Sequence, residues 1–113
     1  MCSEMQLSKI SAETVNELKD LFGEKLKSVI LYGSYARGDY DTESDIDVFV
    51  LVDMSSQELA KYQRNLVEIA TSISLENDVF LSLHEQDVAT FEKWRDVVPF
   101  YKNVVSEGVM LNP

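Results

Sequence analysis

Apolar residues that recur every three or four positions predict the helices of this chain. In residues 11–26 this spacing gives one apolar helix face. Residues 55–58, Ser-Ser-Gln-Glu, have the form of a capping box and predict a second helix that reaches about Ser74. Asp87 is expected to cap a short third helix. A last helix is predicted over residues 99–108, because proline suits its first turn and glycine its C-terminal cap.

Short β-rich runs between these helices predict the strands. The runs cover residues 28–32, 45–52 and 78–84, and residues 109–111 are expected to add a short edge strand. The predicted order is helix, strand, strand, helix, strand, helix, helix. This order predicts an α/β (α+β) domain in which a small mixed β-sheet of three or four strands packs with helices.

Length and composition narrow the class of protein. A chain of 113 residues is expected to form a single domain, residues 1–113. Its one cysteine, Cys2, excludes an internal disulfide framework. No apolar run has the length of a membrane span, and no signal peptide is visible, so a cytoplasmic location is expected. The 10 basic and 20 acidic residues give a net charge of −10, which weakens any interpretation as a nucleic-acid binder.

The negative charge is concentrated in one segment. Residues 38–60 carry seven acidic residues and no lysine or arginine. A solvated acidic surface is one interpretation, and a site for cations is the other. Asp45 and Asp47 favour the second, because they stand at the start of an apolar run, where solvation explains carboxylates poorly.

A polar segment between the first two strands is suited to bind an anion. The first strand ends at Gly33, which allows positive φ and a close approach of the backbone to a ligand. Ser34 can begin a short helix whose N–H groups face an anion, and its hydroxyl adds a donor. Arg37 follows about one turn later, where it would either pair with a phosphate or form an ion pair with a neighbouring acid.

The two aspartates that follow are spaced for one face of a strand. Alternate strand residues share a face, so Asp45 and Asp47 point one way while Ile46 and Val48 point into the core. Two neighbouring carboxylates repel each other unless a cation lies between them. Oxygen ligands of this kind suit Mg²⁺ with bound phosphates. A phosphate site facing a carboxylate pair is typical of metal-assisted phosphoryl or nucleotidyl transfer.

The whole pattern resembles a known family. Gly33-Ser34, Arg37-Gly38 and Ser44-Asp45-Ile46-Asp47 are similar to the motif of the DNA polymerase β-type nucleotidyltransferase superfamily. Residues 99–104 and 107–109 resemble the C-terminal part of its short members, the minimal nucleotidyltransferases (MNT). The resemblance covers nearly the whole chain, and it implies the polymerase β-like nucleotidyltransferase fold.

The resemblance also implies a set of site residues. Asp45 and Asp47 would bind two Mg²⁺ ions, with ATP as the expected substrate and pyrophosphate as the leaving group. Gly33 and Ser34 would hold the β- and γ-phosphates. The residues expected to bind the nucleotide are Gly33, Ser34, Arg37 and Ser44.

A third carboxylate is expected on a later strand, where it would share a metal and act as the base. Asp78 is the best match, since it precedes an apolar run. A shift of a few residues in the strand register would put Ser82 at this position and leave the site incomplete. Glu76 is a less well placed alternative. The only histidine, His84, is more typical of a structural or surface residue.

The resemblance further implies a partner. Short members of the family are often encoded beside a small helical HEPN protein, a toxin whose tyrosine receives AMP from the nucleotidyltransferase that acts as its antitoxin. A protein acceptor suits the acidic charge better than RNA does. Two alternatives stay open: a non-catalytic antitoxin that blocks its HEPN partner by contact, and a small-molecule enzyme of the aminoglycoside-modifying kind. The second would need a homo-oligomer to complete its pocket.

Overall fold

The structure of the protein, a computed structural model, describes residues 4–38 and 45–112, without the side chain of Ser34. Six α-helices, one 3₁₀ turn and four strands lie in these residues. In chain order they are α1 (Glu4–Phe22), a 3₁₀ turn (Gly23–Lys25), β1 (Leu26–Tyr32), α2 (Ser34–Arg37), β2 (Ile46–Val52), α3 (Ser56–Ala60), α4 (Gln63–Asn77), β3 (Leu81–Asp87), α5 (Val88–Trp94), α6 (Pro99–Glu107) and β4 (Val109–Met110).

The four strands form one mixed sheet in the order β3-β2-β1-β4. Strand β2 runs antiparallel to β1 and parallel to β3, and the short β4 pairs antiparallel with β1. The predicted fold class, a small mixed sheet packed with helices, is therefore confirmed. The short edge strand expected near the C-terminus is present as β4.

Each face of the sheet packs against its own helices. Val48 and Val50 of β2 belong to the larger core, which they share with Leu18 of α1 and Leu66 of α4. On the opposite face, Phe49 lies in a smaller core with residues of α5 and α6. This alternation along β2 follows from the two-residue period of a strand. The start of β2 is thus held rigidly between two helical layers.

The first predicted helix was wrong at both ends. It begins at Glu4, and it stops at Phe22 because Gly23 takes a left-handed φ of +58°. The N-cap predicted at Ser55 is confirmed, since the Glu58 N–H donates to the Ser55 Oγ at 3.1 Å. The helix that begins there ends at Ala60, however, and not near Ser74 as predicted. After two intervening residues, a separate helix, α4, begins at Gln63.

The third strand was predicted three residues too early. Helix α4 continues to Asn77, and Asp78 forms its C-cap with a φ of +53°. The Asp78 N–H donates to the Ser74 carbonyl, so Asp78 belongs to the helix end and the strand begins only at Leu81. Helix C-caps favour a left-handed residue, and aspartate tolerates that conformation better than most side chains.

A buried carboxylate joins β3 to α5, as the predicted cap at Asp87 requires. The Thr90 N–H donates to one Asp87 oxygen, and the Gln86 amide donates to the other, both at 2.9 Å. The Tyr101 hydroxyl donates to the side-chain amide oxygen of Gln86, Oε1, at 2.7 Å. This bond joins α6 to the same network. Burial acts to raise the Asp87 pKa, but the hydrogen bonds from Thr90 and Gln86 outweigh it and lower this pKa.

Substituting Asp87 should show how much this network stabilises the fold. Asp87→Ala is expected to lower the free energy of unfolding by about 1–2 kcal/mol, because the cap of α5 is lost. Asp87→Asn keeps a capping oxygen and should lose less. Since the folded-state pKa of Asp87 is lowered, its contribution is present at neutral pH and disappears as the pH falls below about 4. Urea unfolding at pH 7 and pH 3 checks this, and equal losses in Asp87→Ala at both pH values would contradict it.

Among the described helices, none is both long and apolar enough to cross a membrane.

Candidate active site

A glycine turn joins β1 to the short helix α2. Tyr32 ends the strand, and Gly33 takes a φ of +76°, a conformation that side chains rarely adopt. The Gly33 carbonyl accepts hydrogen bonds from the N–H groups of Ala36 and Arg37, both at 3.1 Å. The turn therefore bends at once into α2, as the predicted anion site requires.

The carboxylate of Asp47 lies directly against this turn. Tyr32 and Asp47 are paired across β1 and β2, so the turn at Gly33 passes the start of β2. A Cβ atom at Gly33 would lie 2.8 Å from the Asp47 Oδ2. No side chain fits between them, and the backbone of the turn reaches the carboxylate closely only because residue 33 is glycine.

The surroundings of Asp47 disfavour its charged form. Burial raises its pKa, the charge of Asp45 raises it further, and His84 lowers it in part. Asp47 is half-buried, while Asp45 is exposed and directly precedes β2. The pair is thus close enough to interact unfavourably, and a cation bound to both carboxylates would remove that repulsion.

The side chains of Tyr32 and His84 lie beside this carboxylate pair. Burial raises the pKa of Tyr32, and the charge of Asp47 raises it further, so the phenol stays neutral. The Tyr32 ring packs edge-on against His84 and Phe100, with centroids 5.9 and 5.4 Å apart. The pair therefore has a partly apolar wall, which α6 helps to form.

The structure does not place Asp78 with this pair. Asp78 is exposed at the C-cap of α4, and the residue of β3 that pairs with Asp47 is Ser82. Paired residues on neighbouring strands share a face, so Ser82 occupies the position expected for a third carboxylate. Within residues 4–38 and 45–112, no three acidic, histidine or cysteine side chains form a group that could hold a metal ion.

Glu76, the other alternative, lies on the opposite side of the domain. It lines an acidic cavity of about 540 Å³ between α1 and α4. There it hydrogen-bonds to Glu13, and this contact raises the Glu13 pKa. Glu76 is therefore separated from the carboxylate pair by the sheet.

Arg37 forms an ion pair with a residue from the far end of the chain. Its Nη1 lies 3.3 Å from the Glu107 Oε2, and both side chains are about 40% exposed, at 44% and 40%. This contact joins α2 to the last residue of α6. The role predicted for Arg37 in nucleotide binding stays a prediction. Ser34 begins α2, and Ser44 lies outside the described residues.

Several residues of the site were not predicted for it. Tyr32 and His84 border Asp47, and Glu107 binds Arg37. The alternation of β3 residues would have found His84 once Ser82 was placed, because residues two apart share a face. Nothing in the local sequence indicates the contact between Arg37 and Glu107, which lie 70 positions apart.

Comparison with known proteins identifies the family. Residues 11–110 match the family model of the nucleotidyltransferase domain. The chain belongs to this family. The family that the sequence resemblance implied is therefore confirmed.

Two archaeal relatives of this nucleotidyltransferase domain support the same assignment. Both are proteins of Methanocaldococcus jannaschii whose curated names describe them, provisionally, as protein adenylyltransferases. One is 33% identical over 110 residues, which span 95% of this chain and 99% of the relative. The other is 40% identical over 78 residues, 69% of this chain and 77% of the relative.

Solved structures share the fold of this nucleotidyltransferase domain. One is a toxin–antitoxin crystallised with AMP-PNP, with a TM-score of 0.60 and 23% identity over 90% of this chain and 72% of that one. Another is the complex of a tri-AMPylated HEPN toxin with its MNT antitoxin from Shewanella oneidensis, with a TM-score of 0.56 and 22% identity over 92% of this chain and 70% of that one. At these identities the likeness concerns the fold.

Proposed function

We propose that this nucleotidyltransferase domain transfers AMP from ATP to a hydroxyl group of a partner protein, and that it acts as the antitoxin of a HEPN/MNT pair. The observation that carries the proposal is the contact geometry of Gly33 and Asp47, in which a backbone turn suited to phosphates lies against a carboxylate. Asp45 adds a second carboxylate beside it.

The carboxylate pair fits a divalent cation by its chemistry. Asp45 and Asp47 supply hard oxygen ligands, and their unfavourable interaction is the kind that a bound Mg²⁺ relieves. When bound, Mg²⁺ would offset the negative charge of the triphosphate. Gly33 lets the main chain approach the phosphates closely, and α2 sets the direction of its N–H groups. The rings of Tyr32 and Phe100, which pack against each other, form an apolar wall on one side.

The reaction is a displacement at phosphorus. The acceptor hydroxyl oxygen forms a bond to the α-phosphorus of ATP, the bond from that phosphorus to the bridging oxygen breaks, and pyrophosphate leaves. The hydroxyl proton passes to solvent. The names of the relatives favour a protein as acceptor, and the net charge of −10 disfavours RNA.

Radiolabelled ATP would test this function directly. The protein is incubated with Mg²⁺, ATP and the product of the neighbouring gene, which the proposal expects to be a HEPN-like protein. ATP labelled at the α-phosphate is expected to label the partner, whereas ATP labelled at the γ-phosphate is not, because pyrophosphate leaves with it. Adding EDTA should abolish the label. Label from γ-labelled ATP would mean phosphoryl transfer, and no label from either would exclude transfer to this partner.

A non-catalytic antitoxin is the second candidate, and the position of Ser82 favours it. With a serine opposite Asp47, the part of the site that the structure describes holds two carboxylates and no third. The double variant Asp45→Asn, Asp47→Asn separates the candidates. If it still neutralises the partner in growing cells, binding alone is sufficient. If neutralisation is lost while the complex still forms, catalysis is required.

A further inference from the structure

Strand β3 exposes one side of its backbone. It is the outermost strand of the sheet beside β2, and no other strand of residues 4–38 or 45–112 covers it. The Ile46 N–H donates to the Phe80 carbonyl at 2.8 Å, which fixes the alternation of the parallel ladder. Ser82 and His84 therefore turn their backbone groups towards β2, and Leu83 and Glu85 turn theirs outwards.

The exposed side begins at a defined point. The first outward N–H, that of Leu81, donates to the Ser74 Oγ at 2.9 Å and is thereby covered by α4. The outward N–H groups of Leu83 and Glu85 come next, and no acceptor within residues 4–38 or 45–112 pairs with them. A row of unpaired backbone groups of this kind is a template for another strand.

An apolar groove follows this edge. It has a volume of about 230 Å³ and lies between α4 and β3, with Leu66, Val67 and Ala70 among the residues that line it. Val67, one of the residues that line the groove, is 53% exposed. A segment lying along β3 would cover this apolar surface with every second side chain while its backbone pairs with the edge.

The same edge is adjacent to the candidate active site. Asp47 pairs with Ser82, so the two side chains lie on one face of the sheet. Strands are about 4.8 Å apart, which places a fifth strand roughly 10 Å from β2. A long side chain on that face of the added strand would pass over the small Ser82 towards Asp47. A larger residue at position 82 would obstruct this path.

We propose that the outer edge of β3 binds an extended, basic segment of the acceptor protein as a fifth strand. The hydroxyl-bearing side chain of that segment then projects over Ser82 to the carboxylate pair. This inference rests on the proposed function, since it names how the acceptor of that reaction is held. A second copy of the chain is disfavoured at this edge, because each copy carries a net charge of −10 and would repel the other.

A proline on the exposed side of the strand tests the proposal. Glu85→Pro removes an outward N–H and leaves the ladder to β2 intact, and an edge strand tolerates proline at such a position. Transfer of AMP to the HEPN-like partner is expected to fall by about tenfold or more, the effect of about 1.4 kcal/mol of lost binding. Glu85→Gln is the matched control: it removes the same charge but keeps the N–H, so the loss of transfer in Glu85→Pro beyond that in Glu85→Gln reports the backbone pairing. The thermal stabilisation by Mg²⁺ and ATP should be the same in both variants and in the parent protein.

Amide hydrogen exchange of the parent protein gives a second readout that needs no variant to fold. The N–H groups of Leu83 and Glu85 should exchange quickly in the isolated chain and slowly in the complex with the partner. If the complex forms but these N–H groups still exchange quickly in it, the edge proposal is overturned. Slow exchange of the same groups in the isolated chain, together with a dimer in solution, would also overturn it. Slow exchange in the complex without any AMP transfer would uphold the edge proposal and reject the proposed function. If neither a complex nor transfer is found, both fail.

Discussion

Replacing Asp47 by asparagine is expected to abolish AMP transfer and at the same time to stabilise the fold. The pKa of Asp47 is raised by burial and by the charge of Asp45, so the charged carboxylate is disfavoured in the folded state. Asparagine has nearly the same shape without the charge. Loss of one of the two carboxylates that we propose to bind Mg²⁺ should reduce transfer by about 100-fold or more, in the range seen when one electrostatic group of an active site is removed.

The stability effect has a defined pH dependence. Because the folded-state pKa of Asp47 lies above that of the unfolded chain, ionisation destabilises the fold at neutral pH. This penalty disappears as the pH falls below about 4, where the carboxyl is protonated in both states. Without metal, Asp47→Asn should therefore have a higher Tm than the parent protein at pH 7, and the difference should vanish at pH 3.

Asp53→Asn is the matched control for this substitution. Asp53 belongs to the same acidic segment but follows the other end of β2, where it is exposed. The Asp53→Asn variant should have an AMP transfer rate and a Tm close to those of the parent protein. The interpretation of Asp47 would be contradicted by a variant that transfers AMP at the parent rate. A lower Tm at pH 7 would reject the electrostatic part of the argument alone.

Replacing Gly33 by alanine is expected to lower both the stability of the fold and the transfer of AMP. A left-handed φ costs a residue with a side chain about 1–2 kcal/mol, and the new methyl group would also meet the Asp47 Oδ2 at 2.8 Å. The oxygen belongs to a strand held in both cores, so it cannot move away without loss. The free energy of unfolding should fall by about 2 kcal/mol or more. Transfer of AMP should fall by about 100-fold, because the turn and the carboxylate are displaced together.

Gly23→Ala separates the cost of the left-handed φ from the cost of the contact with Asp47. Gly23 also has a left-handed φ, +58°, but a Cβ there would have no atom within 4 Å. It should therefore lose about 1 kcal/mol of stability and retain full transfer. Urea unfolding and the α-labelled ATP assay check both variants. Equal loss of stability in the two would contradict the contact argument, and parent-like transfer in Gly33→Ala would remove this turn from the site.

Local signals in the sequence determined the elements around the site. The Gly33 turn depends on one residue without a side chain, and the caps at Ser55 and Asp87 depend on hydrogen bonds to an N–H three positions later. The spacing of Asp45 and Asp47 needs only the two-residue period of a strand. Interactions of such short range are encoded by neighbouring residues, and for this reason the sequence alone indicated both the family and the fold class.

Which distant residues contact these elements was decided only by the tertiary structure. Strand periodicity gives the face of a residue but not its register, and the register of β3 follows from where α4 ends. Because Asp78 takes the left-handed C-cap, the strand starts three residues later than predicted and Ser82, not Asp78, pairs with Asp47. The ion pair of Arg37 with Glu107 likewise requires α6 to return to α2. Contacts between distant segments depend on the packing of the whole chain, and no short stretch of sequence contains them.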